Sequence, residues 1–393
     1  MTLQVQAKHA EADRGDSRCW MVPLIDCWLW RLAHAMRCGC AGDVFRWPRR
    51  YRPPHEEPVM DVQQPDTPPR PPTITLLAKQ LNVSPATVSR AFSRPELLRP
   101  DTVQRVLDAA AAAGYVPNRH ARALSTGHTA AIGLVVADIA NPFFAPLIRG
   151  VETIAQDRGF TVLLGNTDEN PDREERVINT LVHQVEGLLV CSPRQPSASL
   201  RRLAQQHRVV LVNRDIHHTD RVLLDTGPAV RQAVEVLRDY GHRRLAYLAG
   251  PPSSWSNSQR RRAALAKASE LQLHLEVVEV QAGTYAAARS VADQLLDAEI
   301  TAVLAFDDVM AHGVMGGLAA RGVRVPDDVS VIGCDDVLAT TTYPPLSTIA
   351  VDMDAAAQAA SRLLLDRGDA PPEPIRTVLP ATLVLRGTVA AAP

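Results

Sequence analysis

Aromatic residues make up only 4% of this 393-residue chain, and the signatures of common catalytic centres are missing. There is no Gly-x-Ser-x-Gly elbow, no phosphate loop, no His-Glu-x-x-His and no Gly-x-Gly-x-x-Gly after a strand. Ser, His and Asp are plentiful, but none stands in a recognisable strand–turn context, so the sequence argues against an enzyme and implies no cofactor. No uncharged apolar span reaches the roughly 18 residues of a membrane helix. Cysteine is sparse where it would matter. Beyond Cys19, Cys27, Cys38 and Cys40 the chain has only Cys191 and Cys334, which excludes a disulfide framework and suits a reducing cytoplasm.

What is present is an apolar fraction of 46% against 22% charged, enough to pack more than one domain. The net charge of −1 hides a local bias. Residues 73–127 carry Lys79, Arg90, Arg94, Arg99, Arg105, Arg119 and Arg122 against Glu96, Asp101 and Asp108, seven minus three, a surplus of four. A field of that sign suits a phosphate backbone.

Residues 1–72 differ from the rest. They hold four of the five tryptophans, an arginine-rich run Arg46–Arg52 and a proline-rich run Pro65–Pro72, and read as a disordered extension and linker. Met21 to Met36 mimics a signal peptide, with Ala33-His34-Ala35 resembling a cleavage site, but Asp26 and Arg31 interrupt its apolar stretch. Met60 offers an alternative start. The spacing of the first four cysteines fits no familiar zinc pattern, so unpaired thiols are the plainer reading.

Two short helices follow. Leu77, Ala78 and Leu81 give the first an apolar face ending near Asn82. Ser84 is a good N-cap and Pro85 suits the first position of the second, Pro85 to Phe92. That helix is expected to bury Val88, Ala91 and Phe92 and to expose Ala86, Thr87, Ser89 and Arg90. A third, from Pro100 to Gly114, sets Val103, Val106, Leu107 and Ala110 at core spacing. The pattern fits a helix-turn-helix or an ordinary helical hairpin.

From Ile132 onward short apolar runs alternate with helical spacing. Examples are 132–136, 161–164, 187–190, 209–212, 244–248, 302–306 and 329–332. Such alternation implies parallel sheets covered on both faces, in two doubly wound lobes with ligand bound at the carboxyl ends of the strands. Asp215-Ile216-His217-His218-Thr219-Asp220 has metal-like letters and reads as a solvated connection.

The stretches Val83–Ala91, Gly114-Tyr115-Val116-Pro117-Asn118-Arg119 and Ala121-Arg122-Ala123-Leu124 resemble the signature of the lactose-repressor (LacI) family, and the likeness continues through the body. The resemblance implies an α/β protein: a helix-turn-helix head (73–116) and a hinge helix (117–127) joined to a two-lobed, doubly wound periplasmic-binding-protein-like body (128–393). Lobe one is expected at about 130–213 plus 328–351, lobe two at about 214–327 plus 352–388. Pro85 and Ala86 would meet base edges, small apolar side chains favouring thymine methyls. Ser84 and Thr87 belong to the same reading helix. Arg90 would reach a guanine, and Ser89 and Thr73 would hold phosphates. Asn118, Arg119, Ala121 and Leu124 belong to the hinge, Leu124 wedging into a central minor-groove step. Two departures stand out: Leu76 where the family has a polar or acidic residue, and Arg99 where it has a Ser or Thr cap.

In the body the resemblance implies an effector cleft. Phe143 and Phe144, after Asn141-Pro142, either stack on a ligand or belong to the core. Arg260 takes the place of a ligand-binding arginine. Asp308, in Asp307-Asp308, takes that of an aspartate accepting hydroxyl hydrogens, and also suits an N-cap. Asn213 stands where Asp is common, Thr226 where Asn is frequent and Gly283 where an aromatic often covers the ligand, which points to a larger or anionic effector such as a sugar acid. Val331–Asp336 and Pro344–Ile349 resemble a late crossover between lobes. The expectation is a cytoplasmic, nucleoid-associated homodimeric repressor of a pseudo-palindromic double-stranded operator, controlled by a sugar-like small molecule, without metal or membrane.

Overall fold

The computed structural model describes residues 72–115, 128–366 and 373–393. Residues 1–71 of the expected extension, and the expected hinge with Asn118, Arg119, Ala121 and Leu124, lie outside the described residues.

The head has three helices, α1 (Ile74–Leu81), α2 (Pro85–Ser93) and α3 (Pro100–Ala113). The Thr73 hydroxyl caps α1 by accepting from the Leu76 N–H at 3.3 Å. Asn82, at φ 54°, ends it, asparagine being one of the few side chains that tolerates the left-handed region. Ser84 then accepts from the Thr87 N–H at 3.0 Å, with Pro85 in the first turn, where its missing N–H costs no helical bond. Gly114, at φ 64°, stops α3. Leu77, Ala78, Val88, Ala91, Val106 and Ala110 make the core. Four of the expected apolar residues sit less deeply: Leu107 is 38% exposed, Leu81 and Val103 are half-buried, and Phe92 is half-buried against Tyr115, ring centroids 5.8 Å apart. Arg99 makes no side-chain cap; Pro100 and Asp101 start α3 without one.

The body holds two six-stranded sheets. The first lobe supplies β1 (Ala131–Val136), α4 (Phe144–Asp157), β2 (Thr161–Asn166), α5 (Pro171–Leu181), β3 (Leu188–Cys191), α6 (Ser197–Gln206), β4 (Val209–Val212) and β5 (Asp220–Asp225). The second supplies α7 (Gly227–Asp239), β6 (Arg244–Ala249), α8 (Trp255–Glu270), β7 (His274–Glu279), α9 (Tyr285–Ser290), α10 (Ala292–Asp297), β8 (Ala302–Ala305), α11 (Asp308–Ala319), β9 (Ser330–Asp335) and β10 (Ser347–Ala350). The chain then returns to the first lobe for α12 (Met353–Leu365) and β11 (Arg376–Pro380), and crosses last into β12 (Thr382–Val384). Strand orders are β11-β5-β4-β3-β1-β2 and β12-β10-β9-β8-β6-β7, all parallel except β12. Each sheet has an apolar cluster on both faces, which is why its central strands are almost wholly apolar.

The late segments correct the expected lobe boundaries. Residues 330–350 belong to the second lobe, because β9 lies in register with β8 and β10 with β9. Residues 353–380 belong to the first: Met353, Ala356, Ala360 and Leu364 of α12 fill the core around Leu134 and Leu189, and β11 pairs with β5. The first lobe also reaches Asp225 rather than stopping near 213. Local pattern marks these segments as strand or helix but does not say which sheet edge they extend. Residues 215–220 are less solvated than their letters suggest: Ile216 and Thr219 are buried, and Asp215 bridges Arg221 and Arg376.

The strands deliver their carboxyl ends to the gap between the lobes. There Ser192 (φ 49°), Asn213 (φ 60°), Asp335 (φ 118°) and Asp336 (φ 61°) leave the sheets at positive φ, which Asn and Asp tolerate better than most side chains and which clusters at binding sites.

Candidate functional site

Two surfaces carry chemistry. On the head, Pro85, Ala86 and Arg90 are exposed on α2, while Thr87 and Ser89 are half-buried. Neither α1 nor α2 has an acidic residue in its first turn, so both amino ends are open to phosphate oxygens. The Ser84 and Thr87 hydroxyls lie 2.9 Å apart, pinning the turn, and the Ser93 hydroxyl donates to the Ser89 carbonyl.

In the body, an interlobe cavity brings together four of the expected residues, Phe143, Phe144, Asn213 and Arg260. It adds others that the sequence reading had not assigned: Asn141, Glu169, Ser192, Arg194, Ser256, Asp307 and Asp335. Phe143 and Phe144 meet edge to face at 4.9 Å and serve as both core and cavity wall. Two hydrogen bonds join the lobes across the cavity. Asn141 Nδ2 donates to Asp307 at 3.1 Å, and Asn213 Nδ2 donates to the Ser256 hydroxyl at 2.7 Å.

Each guanidinium here is already matched. Arg194 forks onto Glu169 and donates to the Ser192 carbonyl at 2.7 Å. Arg260, 3% exposed, donates to Asp335 at 3.3 Å, to Thr226 Oγ1 at 3.4 Å and to the Phe306 carbonyl, with its guanidinium 5.0 Å from the Phe306 ring centre. Burial pushes the Asp307 carboxyl up to about 6, against the pull of the Met310 N–H that it caps at 2.8 Å. Burial also pushes Asp335 well above its ordinary range, with Arg260 opposing. The Gly250–Ser254 turn is held by Asn257, whose Oδ1 accepts from Tyr247 and the Gly250 N–H at 3.0 Å each. Only glycine fits at 250, where a Cβ would lie 2.3 Å from the Phe306 ring.

Asp308 does not line this cavity, which corrects its expected role. It is fully buried beneath it, accepting from Thr348 Oγ1 at 2.6 Å and the Val337 N–H at 3.1 Å. Since adjacent residues at a helix start point in different directions, only one of the pair faces the ligand space, and that is Asp307. Outside the cavity, a vestibule of about 990 Å³ shares Asn141, Glu169, Phe306 and Asp307 with it. Gly283 borders that vestibule beside Pro251.

Comparison with known proteins settles what this combination belongs to. The pattern of the bacterial regulatory proteins, lacI family, matches residues 73–118, and that of the periplasmic binding protein-like domain matches residues 234–389. The HTH-type transcriptional regulator GalS of Salmonella typhimurium is 33% identical over 307 residues, 75% of this chain and 89% of GalS. The chain belongs to the lacI family of bacterial regulatory proteins.

Solved lacI-family structures agree. The lac repressor dimer bound to operator and the anti-inducer ONPF is 27% identical with a TM-score of 0.73, covering 82% of this chain and 100% of that one. A LacI family regulator from Enterococcus faecalis with bound ribose is 27% identical with a TM-score of 0.61, covering 67% and 100%. As a lacI-family protein the chain is a DNA-binding transcriptional regulator with an effector-binding body, and not an enzyme. Among the described residues no helix is long and apolar enough to cross a membrane. The unassigned site residues had unequal signals. Asp335 ends the apolar run Val331–Cys334, where the rule that ligands gather at strand carboxyl ends points. Glu169 and Arg194 are 25 positions apart and nothing local pairs them.

Proposed function

We propose that this chain is a homodimeric repressor of a pseudo-palindromic operator, acting in the cytoplasm on the nucleoid, whose DNA affinity is set by a neutral polyhydroxylated effector held between its lobes. On this reading α2 enters the major groove with Pro85 and Ala86 against base edges and Arg90 toward a guanine, while Thr73 and Ser89 meet phosphates. Asn118, Arg119, Ala121 and Leu124 form the hinge, and Leu124 from each protomer wedges the operator centre.

The observation that carries the effector class is the charge matching of the cavity. Two guanidiniums, Arg194 and Arg260, face three carboxyl groups, Glu169, Asp307 and Asp335, with Arg194 bonded to Glu169 and Arg260 to Asp335. An anion entering there meets no surplus positive charge. A polyol meets paired donors and acceptors and the faces of Phe143 and Phe306. This supports a sugar, of the kind seen in the ribose-bound relative, over the sugar acid suggested by Asn213 and Gly283. A ligand that competes for Asn141, Asp307, Asn213 and Ser256 changes the two bonds joining the lobes, and so shifts lobe geometry and DNA affinity together by linkage.

Genomic footprinting supplies the operator. Calorimetry with neutral pentoses, hexoses, nucleosides and sugar acids, followed by operator anisotropy with each binder, tests the rest. Binding of a neutral polyol that alters operator affinity is expected. Binding of sugar acids alone overturns the effector class.

A further inference from the structure

On the other side of α8 from the effector cleft lies a second groove, of about 1050 Å³, bordered by both lobes. The helix serves the two spaces with two stripes. Ser256 and Arg260 line the cleft, whereas Trp255, Gln259, Arg262 and Ala266, at helical spacing i, i+4, i+7 and i+11, line the groove. The facing wall is β5 and β11 of the first lobe, and the crossover Asp225-Thr226-Gly227 runs between.

The groove carries unbalanced positive charge. Its Asp215 is already held by Arg221 at 2.5 Å and by Arg376 at 3.1 Å, and its Asp225 accepts the Gly227 N–H at 3.3 Å. Arg231 and Arg262, both exposed, form no ion pair among the described residues. Two uncommitted guanidiniums suit the oxygens of a phosphate. The half-buried Trp255 indole supplies a flat apolar face, and the Gln259 amide can both donate to and accept from a ring edge.

We propose that this groove binds a small organic phosphate carrying a flat ring, a ligand of the nucleoside monophosphate class. Such a ligand touches α7 and α8 of one lobe and β11 of the other, so its binding depends on the lobe angle. It also reaches the effector cleft through one residue: Thr226 lines the groove, is 3% exposed and accepts the Arg260 Nε–H at 3.4 Å. The site is therefore a second regulatory input, coupled to the first at the crossover between the lobes.

Calorimetry on the full chain with AMP, adenosine and inorganic phosphate as probes tests the assignment. AMP is expected to bind, adenosine about tenfold or more weakly, and R231E and R262E each to lower AMP affinity by about tenfold or more. Both arginines are exposed, so far-UV circular dichroism and melting of the variants stay as in the parent, which separates loss of the site from loss of the fold. Charge reversal here also separates the groove from adventitious phosphate binding at the DNA-binding head. Undetectable AMP binding at millimolar concentration, or AMP affinity unchanged in both variants, overturns the proposal.

Discussion

Replacing Arg260 with Ala removes the cation that Asp335 faces inside the protein. The side chain gives up its bonds to Asp335, Thr226 and the Phe306 carbonyl and its stacking on the Phe306 ring. Asp335 stays behind at 5% exposure, with Asp307 still close enough to repel it. Breaking a buried pair by removing one partner costs about 3–5 kcal/mol, because the survivor is left uncompensated. That cost depends on pH in a definite direction. In the variant the folded protein holds a proton on Asp335 that the unfolded chain releases above about pH 4. The unfolded state then binds fewer protons, so stability falls as pH rises, by up to about 1.4 kcal/mol per pH unit, until the folded-state value is passed. Arg260 opposes the same rise in the parent protein, so the penalty of R260A is larger at high pH. Urea unfolding followed by far-UV circular dichroism at about pH 5.5 and about pH 8 reads it. The expected result is a loss of about 3–5 kcal/mol at the higher pH and a smaller loss at the lower, with D335N on the R260A background recovering most of it. A loss below about 1 kcal/mol, or one equal at both pH values, would refute the reasoning.

Four further outcomes are expected. S84A removes the cap of α2 and costs about 1 kcal/mol; operator anisotropy on the full chain should show weaker binding, and S84D should restore it. Asp307→Asn and Asp308→Ala should separate in calorimetry and melting: the first lowers effector affinity, while the second lowers melting temperature because it removes both oxygens that accept from Thr348 and Val337. G313A puts a Cβ 2.4 Å from the Tyr285 carbonyl oxygen and 2.8 Å from Ala288 Cβ; forcing α9 off α11 should cost about 1–3 kcal/mol in urea unfolding. Burial holds Asp307 and Asp308 at about 6 in the folded protein against an ordinary 3.8, so the folded state binds their protons more tightly. Their contribution to stability is therefore lost as pH rises from about 4 to about 6, and D307N should flatten part of that slope in unfolding titrations.

The head was legible almost residue by residue, because its determinants are local. A cap at Ser84, a proline at the next position and a glycine at 114 each act within one turn of chain. Leu107 was misplaced because a four-residue apolar repeat marks a stripe wider than the contact that the two other helices cover. In the body seven strands could be read from their apolar runs, but β5, β7, β10, β11 and β12 were not picked out. β7 and the edge strands β11 and β12 keep polar or exposed positions. The exchange of lobes after Asp225 and Ala350 left no mark either, since a strand has the same composition whichever sheet it joins. At the site, family register supplied Phe143, Phe144, Asn213 and Arg260. It also put the weight on Asp308, since position along the chain does not say which of two neighbouring carboxylates turns toward the cavity.

The last two strands have a consequence for how the molecule comes to exist. β11 closes one edge of the first sheet and β12, one residue later, closes one edge of the second. A chain emerging from the ribosome therefore cannot finish either half until β11 and β12 have been made. The head, by contrast, contains all its core residues before Ala113 and is free to fold early. During synthesis a reader of DNA thus precedes any completed sensor. A chain cut short before Arg376 holds two unfinished sheets rather than one intact half, which leaves such fragments to the cell's proteases.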